Sequence, residues 1–469
     1  MGVRTDTTAS GASFRDPAGF IFMQGKIVYR QVNKAGQEDY DHAVQSGLYK
    51  KLWSEGLLVK HSEVGGVSSG RDALRYKVLK PTPIPFISYP YEWTFAQLRT
   101  AALLTLKVQK IALEHGMILK DASAYNVQFI GTTAVFIDTL SFAVYKPGDP
   151  WEGYKQFCEH FLAPLALGHY DTPEILKSLR VYLDGIPLAI AASLLPKKAR
   201  LNRGLLGHIF LHNNSQQRHK SGGANEAAKS SQRKVSAMAM QGLLASLERS
   251  IRKLKPRTSK TEWGEYYSFT NYSGTAFKAK RALVAELLAK VTPKPKMIWD
   301  LGANNGEFSV LGTELGAYTV AFDVDTVAVK YNYLNKWPKQ TADLMLPLVQ
   351  DLTNPSPALG WGLDERMSLL QRGPADVVLA LALIHHLAIG NNVPFANIAT
   401  FLSQCGRNVI IEFVPKGDSK VDHLLASRQD IFDEYDAEHF EAAMAKHFKL
   451  ITKKPVKSSK RTVYLYQGK

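Results

Sequence analysis

The sequence of 469 residues predicts an α/β fold, with a doubly wound, mostly parallel sheet in the C-terminal half and an α+β domain in the N-terminal half. Two observations predict it. From residue 262 onward, short apolar strands alternate with helical stretches, which is typical of a parallel sheet covered by helices on both faces. Residues 14–212 mix strand-like and helix-like patterns without that alternation. At roughly 100–200 residues per domain, the length fits two folded domains.

Composition excludes several classes of protein. The two cysteines, Cys158 and Cys405, exclude a disulfide framework and a multi-cysteine zinc site. The N-terminus lacks the apolar segment of a secretory signal. The longest apolar stretches, such as residues 186–195, are too short to span a bilayer. We therefore expect a cytoplasmic protein with no membrane span, while its oligomeric state stays unknown.

The N-terminal domain carries three polar residues in a recognisable spacing. Asp121 and Asn126 lie five positions apart, and Asp138 follows a short predicted hairpin. This resembles the catalytic loop and metal-binding Asp of the protein-kinase-like fold, over about residues 60–200. The resemblance implies that Asn126 and Asp138 hold Mg²⁺ if the domain is an active kinase, and otherwise we expect no metal. Leu-Lys stands where His-Arg precedes the Asp, so a degenerate domain that recruits substrate and a hairpin with polar turns are the alternatives.

Flexible and basic segments flank this domain. Residues 1–13 predict a flexible N-terminus, and residues 213–261 predict a basic linker with an amphipathic helix. Residues 213–235 carry almost no apolar side chain larger than Ala, so burial cannot offset the entropy of ordering them. The helix is predicted by apolar residues at helical spacing, namely Leu243, Leu244, Leu247, Ile251 and Leu254.

The formal net charge of +16 comes mainly from this linker region and from the tail. Residues 201–260 hold 12 Lys and Arg against 2 Asp and Glu, and residues 451–469 hold 6 against none. Residues 301–450 hold 11 against 18. The charge therefore suits an anionic partner of residues 201–260 and does not indicate an anionic substrate.

The C-terminal domain, residues 262–469, is predicted to place polar residues at four successive strand ends. The five predicted strands span 296–301, 319–323, 347–351, 375–381 and 408–413. In such sheets the ligand lies at the carboxyl ends of the strands, near the point where the strand order reverses.

The residues at these ends suit a nucleoside ligand. After Asp300, Gly302 lets the chain turn sharply and brings bare backbone close to a ligand. Asp323 can accept hydrogen bonds from both hydroxyls of a ribose, with a helix N-cap as its alternative role. Asp351 can meet an adenine amino group. Ala380 ends the fourth strand, over the reactive centre.

Three stretches resemble a known family. Asp300-Leu-Gly302-Ala-Asn304-Asn-Gly306-Glu-Phe-Ser, followed by Phe-Asp323-Val-Asp, resembles motifs I and II of class I S-adenosylmethionine-dependent methyltransferases. Leu-Ala-Leu-Ile-His-His-Leu, at 381–387, resembles their fourth-strand segment. The run at 411–420, with Arg-Gln-Asp-Ile-Phe at 428–432, is similar to a bacterial subgroup that includes nodulation-type methyltransferases.

This resemblance implies a Rossmann-like methyltransferase domain with S-adenosyl-L-methionine as cofactor. Asp300, Gly302 and Gly306 would shape the methionine end of its site, Asp323 would bind the ribose and Asp351 the adenine. Asn304 stands where the family's middle glycine is usual. We count these residues, together with Ala380, as candidate cofactor-binding residues.

Methyl transfer needs mainly a nucleophile held in line with the methyl group. A hydroxyl or protonated amine also needs a base, and His385 and His386 are candidates because imidazole titrates near neutral pH. Their alternative is to cap the next helix or shape the pocket. Glu412, which ends the fifth strand, is a third catalytic candidate, and a structural carboxylate is its alternative.

The predicted function is methyl transfer to an unidentified acceptor, with a small molecule favoured and the N-terminal domain recruiting it. A sugar derivative, a protein and RNA stay open as acceptors. One alternative is a bifunctional kinase-like methyltransferase. Another is a non-catalytic RNA-binding protein on a methyltransferase scaffold, although the interleaved aromatic residues of a single-strand binding surface are missing from residues 213–260.

Overall fold

The computed structural model describes residues 7–9, 11–221, 234–257, 274–335, 337–426 and 428–469. The chain separates into two compact units. Unit 1 consists of Met1–Phe129, Ala134–Ser259 and Leu359–Arg366, and unit 2 of Ile130–Thr133, Lys260–Ala358 and Met367–Lys469. Residues 1–6 and 10 of the predicted flexible N-terminus and residues 222–233 and 258–261 of the predicted linker lie outside the described residues, as do residues 262–273 at the start of the predicted C-terminal domain.

Unit 1 begins with an antiparallel sheet of five described strands in the order β1-β2-β3-β5-β4. The strands are Thr7–Ala9 (β1), Gly19–Gln24 (β2), Ile27–Asn33 (β3), His61–Glu63 (β4) and Arg75–Pro81 (β5). Gly25, with a φ of 60°, provides the left-handed residue that the short β2–β3 turn requires. Helices Gln37–Gln45 (α1) and Leu48–Ser54 (α2) lie between β3 and β4 along the chain.

A long buried helix, Phe95–Glu114 (α3), follows this sheet. Thr94 and Gln97 begin it with a capping box, in which each side chain accepts the backbone N–H of the other. Two short pairs of strands come next, Met117–Leu119 (β6) with Phe142–Val144 (β9) and Val127–Ile130 (β7) with Thr133–Phe136 (β8). The remaining described helices of unit 1 are Tyr154–Phe157 (α4), Ala163–Tyr170 (α5), Leu188–Leu194 (α6), Arg203–Leu205 (α7), His212–Ser221 (α8) and Ala237–Lys253 (α9).

The predicted linker contains more helix than its composition indicated. Residues 213–221, predicted to be flexible, form most of α8. Their helix continues directly from a helical turn at Leu206–Leu211, and extending an existing helix avoids the unfavourable nucleation step. Helix α9 has the predicted amphipathic character, because Leu244, Leu247 and Ile251 are buried while Arg252 is exposed.

Unit 2 contains a sheet of seven described strands in the order β12-β11-β10-β13-β14-β16-β15. The strands are Met297–Leu301 (β10), Tyr318–Asp323 (β11), Met345–Val349 (β12), Ala375–Ala380 (β13), Gly406–Phe413 (β14), Phe448–Pro455 (β15) and Thr462–Gly468 (β16). The first five pair in parallel, and β16 is antiparallel to both β14 and β15. The predicted α/β class with a mostly parallel sheet is confirmed.

Helices cover this sheet and bury its apolar faces. The described ones are Gly274–Ala289 (α10), Ser309–Glu314 (α11), Thr326–Leu334 (α12), Lys339–Leu344 (α13), Phe395–Cys405 (α14), Ser419–Leu425 (α15) and Ala437–Ala445 (α16). Leu287 of α10 belongs to one buried cluster with Ile298 and Val377 of the central strands. In the part of the chain that the structure describes, no helix is long and apolar enough to cross a membrane.

Candidate active site

A cavity of about 380 Å³ lies at the carboxyl ends of the central strands of unit 2. The strand order reverses between β10 and β13, so the connections after these strands run in opposite directions and leave a crevice. Six of the ten residues predicted for the site line the cavity, namely Asp300, Gly302, Asn304, Asp323, Asp351 and His386. The other four, Gly306, Ala380, His385 and Glu412, do not.

The turn after β10 folds back onto the end of β11. Gly302 has a φ of 79°, and its N–H and that of Ala303 both donate to the Phe322 carbonyl at 2.9 Å. The N–H of Asn304 donates to Asp323 Oδ2 at 2.7 Å. The φ of Gly302 lies in the left-handed region that favours glycine, and a Cβ there would lie 3.3 Å from Leu383 Cδ1.

Gly306 has a structural role rather than a place in the cavity. Its φ is 89°, and a Cβ there would lie 2.6 Å from the Asn332 side chain. Gly306 therefore packs closely against α12 and does not line the cavity, and its cofactor contact stays a prediction. Ala380 is buried within β13, and the next residues, Leu381 and Ala382, line the cavity instead, so its cofactor contact also stays a prediction.

Asp300 and Asp323 form an acidic wall at this end of the cavity. Asp300 accepts a hydrogen bond from Ser309 Oγ at 2.6 Å, and Asp323 Oδ1 accepts one from the Asp325 N–H at 2.9 Å. Burial raises the pKa of Asp300 to about 7 and that of Asp323 to about 6, and Asp323 adds to the effect on Asp300. A cation bound beside these two carboxyl groups would favour their ionised forms.

The helix N-cap, considered as an alternative role for Asp323, is formed by Asp325 instead. Asp325 Oδ1 accepts the N–H groups of Val327 and Ala328 and so begins helix α12. Asp351 lies at the end of β12, where its Oδ1 accepts both the N–H and the hydroxyl of Thr353, at 2.8 and 2.7 Å. The carboxylates of Asp323 and Asp351 therefore lie at two adjacent strand ends of one cavity.

The two histidines differ in their access to the cavity. His386 lines it, whereas His385 is 1% exposed and lies behind it, with the two ring centres 4.2 Å apart. Burial lowers the pKa of His386 to about 4 and that of His385 well below its usual range. The lowered pKa disfavours the protonated form of His386, and His385 does not line the cavity. The catalytic roles of both histidines stay predictions.

Glu412 is also placed differently from its prediction. Its side chain is completely buried, and Oε2 accepts hydrogen bonds from Lys280 Nζ at 2.5 Å and from the Ala382 N–H at 2.7 Å. These groups separate the carboxylate from the cavity, whose lining does not include Glu412, so a catalytic role of Glu412 stays a prediction. The buried ion pair with Lys280 fits the alternative that Glu412 is a structural carboxylate.

Sequence reasoning missed Lys280 and Phe277, two residues of α10 that line the cavity. Lys280 lies four residues from the buried Ala276 and four from the buried Val284, on the apolar face of the helix. A lysine at such a position is unusual, because lysine is almost never fully buried unless it is paired. A lysine on the apolar face of a predicted helix was therefore the sequence signal that could have identified Lys280.

The candidate residues Asn126 and Asp138 of unit 1 form a hydrogen bond and an ion pair with other residues of the same unit. Asn126 Nδ2 donates to Ser141 Oγ at 3.1 Å, and Asp138 forms an ion pair with Arg30 Nη1 at 2.6 Å. Burial raises the pKa of Asp121. Among the described residues, no group of three or more His, Cys, Asp and Glu side chains is placed to hold a metal ion.

The strand order of unit 2, with β16 antiparallel beside β14, and the acidic residues at the carboxyl ends of β10, β11 and β12 define the class I S-adenosylmethionine-dependent methyltransferase fold. The predicted resemblance to that class is confirmed.

Comparison with known proteins identifies the family. No family model matches the chain. Nodulation protein NoeA of Rhizobium meliloti (strain 1021) is 37% identical over 461 residues, which cover 97% of this chain and 95% of that protein. The chain therefore belongs to the NoeA family of nodulation proteins, in agreement with the resemblance to the nodulation-type subgroup.

Solved structures similar to part of the chain include the PH0226 protein from Pyrococcus horikoshii OT3, at 15% identity and a TM-score of 0.31, over 45% of this chain and 100% of that one. Another is the magnesium protoporphyrin IX methyltransferase from Synechocystis PCC 6803 with bound SAH, at 14% identity and a TM-score of 0.30, over 44% of this chain and 93% of that one. The comparisons support neither the kinase-like nor the RNA-binding alternative.

Proposed function

We propose that the protein transfers a methyl group from S-adenosyl-L-methionine to an acceptor bound in the same cavity. The observation that carries this proposal is the meeting of Asp300, Asp323 and Asp351 at one cavity over the reversal in strand order. Such a wall suits a ligand that joins a nucleoside to a cationic group.

We assign the three carboxylates to different parts of the cofactor. Asp323, at the end of β11, is proposed to bind the ribose hydroxyls, and Asp351, at the end of β12, the adenine amino group. Asp300 and the backbone at Gly302 and Asn304 would surround the methionine end. Binding a cation beside Asp300 would favour its ionised form and so lower its pKa.

S-adenosylmethionine supplies an activated methyl group on a sulfonium. The protein then has to hold the acceptor in line with it and exclude water. Leu381, Leu383 and Leu387 give the cavity an apolar side beside His386. His386, which lines the cavity, would accept the proton of a hydroxyl or ammonium acceptor, and the His385 ring lies beside it with the two ring centres 4.2 Å apart.

The size and lining of the cavity favour a small-molecule acceptor. Its volume lies at the lower end of the range for ligand pockets, and its lining combines apolar side chains with a few polar groups. We propose that unit 1 recruits this acceptor, with Asn126 and Asp138 holding no metal.

Calorimetric titration with S-adenosylhomocysteine tests the proposal. The wild-type protein should bind in the micromolar range typical of enzyme ligands. Asp323→Asn should weaken binding at least tenfold, because a hydrogen bond to a charged group contributes about 1.5–3 kcal/mol and tenfold corresponds to about 1.4 kcal/mol. Asp343→Asn, which changes a partly exposed carboxylate paired with Lys339, serves as the matched control and should bind like the wild type.

Two results would contradict the proposal. Absence of binding by the wild-type protein would reject the enzyme class. Equal binding by the wild type and Asp323→Asn would reject the ribose assignment.

A further inference from the structure

A short turn of unit 1, Lys197–Leu201, presents cations and a large apolar side chain to solvent together. Ala199 is fully buried and anchors the turn, and its N–H donates to the Pro196 carbonyl at 2.8 Å. The other four residues of the turn are exposed, namely Lys197, Lys198, Arg200 and Leu201. Leu201 is 85% exposed, more than any other large apolar residue that the structure describes.

Neighbouring elements extend this surface. Leu194, the last residue of α6, is 59% exposed, and Leu211, which ends the helical turn at Leu206–Leu211, is 56% exposed. That helical turn contacts both α6 and the turn with the exposed cations. Arg203, at the start of α7, is exposed as well. We call these residues the basic–apolar surface: Leu194, Lys197, Lys198, Arg200, Leu201, Arg203 and Leu211.

The backbone beneath this surface is fixed. Asn202 Oδ1 accepts the N–H groups of Gly204 and Leu205, at 3.1 and 3.3 Å, and so begins α7. A Cβ at Gly204 would clash with Ser250 Oγ, because α7 packs closely against the long helix α9. The cations and leucines are therefore held in place before a partner arrives, which lowers the entropy cost of binding.

The cations of this surface have no acidic neighbour along the chain, since residues 185–225 contain no Asp or Glu. Lys198 Nζ lies 5.8 Å from the centre of the Tyr170 ring, and Arg200 Cζ lies 5.0 Å from that of Phe210. No ion pair among the described residues involves a cation of this surface, although neighbouring elements contain several. Its positive charge is therefore available to an anionic partner.

The exposed leucines discriminate between anionic partners. A nucleic acid offers phosphates to the cations, but its single strands bind to exposed aromatic rings, and Phe210 is only 5% exposed beneath Arg200. A phosphate backbone also has no apolar complement for Leu201. A bilayer with anionic lipids offers both complements, because its headgroups attract cations and its acyl boundary accepts apolar side chains.

We propose that the basic–apolar surface binds the interface of a bilayer that contains anionic phospholipids. Leu194, Leu201 and Leu211 enter the boundary between headgroups and acyl chains, while the cations stay among the headgroups. Unit 1 is thereby held reversibly at a lipid surface. Because this surface lies in unit 1, its lipid binding is independent of the methyl transfer proposed for unit 2.

Co-sedimentation of the full-length protein with lipid vesicles tests this assignment. The wild type should bind vesicles of equal parts phosphatidylcholine and phosphatidylglycerol at least tenfold more tightly than vesicles of phosphatidylcholine alone, because each cation near an anionic surface strengthens binding about fivefold. High salt should weaken binding to the mixed vesicles, since it screens these charges.

Two variants each remove one kind of contact. Lys197→Gln/Arg203→Gln should weaken binding to the mixed vesicles at least tenfold and reduce its dependence on salt. Leu201→Gln should weaken it about tenfold and leave the salt dependence unchanged, because it removes only apolar contact. The replaced side chains are exposed, so circular dichroism should show that both variants fold like the wild type.

Matched controls change exposed residues of the same kind elsewhere in unit 1. Lys34→Gln/Lys50→Gln removes two cations and Leu74→Gln one leucine, and both should bind vesicles like the wild type. Equal binding of the wild type to both kinds of vesicle, binding to neither, or an equal loss in the controls would overturn the proposal. Binding to a single-stranded RNA without vesicle binding, lost in Lys197→Gln/Arg203→Gln, would assign the surface to nucleic acid instead.

Discussion

Replacing Asp300 by Asn should remove a penalty that the folded protein incurs at high pH. Burial, with a contribution from Asp323, raises the pKa of Asp300 from 3.8 to about 7. A difference of about three pKa units between the unfolded and folded states corresponds to about 4 kcal/mol of stability. About 3 kcal/mol of this falls between pH 5 and pH 8, where most of the titration of the folded-state carboxyl occurs.

The sign follows from where the proton resides. Between the two pKa values, the folded protein keeps the proton that the unfolded chain has already released, so the free energy of unfolding falls as the pH rises. Asn cannot ionise, and its side-chain oxygen can still accept the hydrogen bond from Ser309. We therefore expect Asp300→Asn to gain about 3 kcal/mol relative to the wild type on going from pH 5 to pH 8.

Urea unfolding followed by circular dichroism, at pH 5 and pH 8, measures this difference in the transition that unfolds unit 2. Asp343→Asn is the control, because that carboxylate is partly exposed and pairs with Lys339. If the difference between Asp300→Asn and the wild type is the same at both pH values within about 1 kcal/mol, the folded-state carboxyl does not titrate between them and the reasoning is refuted.

Three further predictions follow from the same geometry. S-adenosylhomocysteine should bind the wild type more tightly as the pH rises from 5 to 8, since its ammonium favours the ionised form of Asp300, and calorimetry on Asp300→Asn should give a flatter profile. Glu412→Leu should lower the free energy of unfolding by about 3–5 kcal/mol, whereas Glu412→Leu with Lys280→Met should recover most of that loss in urea unfolding. Gly306→Ala should cost about 1–3 kcal/mol in the same assay, because its Cβ would lie 2.6 Å from Asn332 in a left-handed backbone conformation.

The sequence predicted the strand ends of unit 2 well, because short apolar strands followed by Gly and Asp leave a local signal. Asp300, Asp323 and Asp351 all lie where that signal placed them. The sequence predicted less well which side chain at a strand end points into the cavity. Successive side chains of a strand point to opposite faces, so a shift of one position moved the cavity wall from Ala380 to Leu381.

Long-range contacts left no comparable local signal. Lys280 and Glu412 are 132 residues apart in the chain, and only the folded sheet brings them together. The same limitation explains why Glu412 was a catalytic candidate. The sequence pattern of a carboxylate at a strand end is the same whether the side chain faces a ligand or a buried lysine. In unit 1, the partner that Arg30 provides for Asp138 was likewise not visible from spacing alone.

Strands β15 and β16 were absent from the sequence prediction. Residues 448–455 carry three lysines on a largely exposed strand, which hides the usual alternation of apolar and polar residues. Their place is determined by antiparallel pairing, of β16 with β14 and of β15 with β16.

Hydrogen–deuterium exchange with and without S-adenosylhomocysteine tests most directly that the cavity between β10 and β13 holds the cofactor. We predict slower exchange in residues 300–306, 323–325, 350–353 and 381–391, the segments that form the cavity and its turns. Saturating S-adenosylhomocysteine that protects none of these segments, or protects only residues of unit 1, would contradict the account.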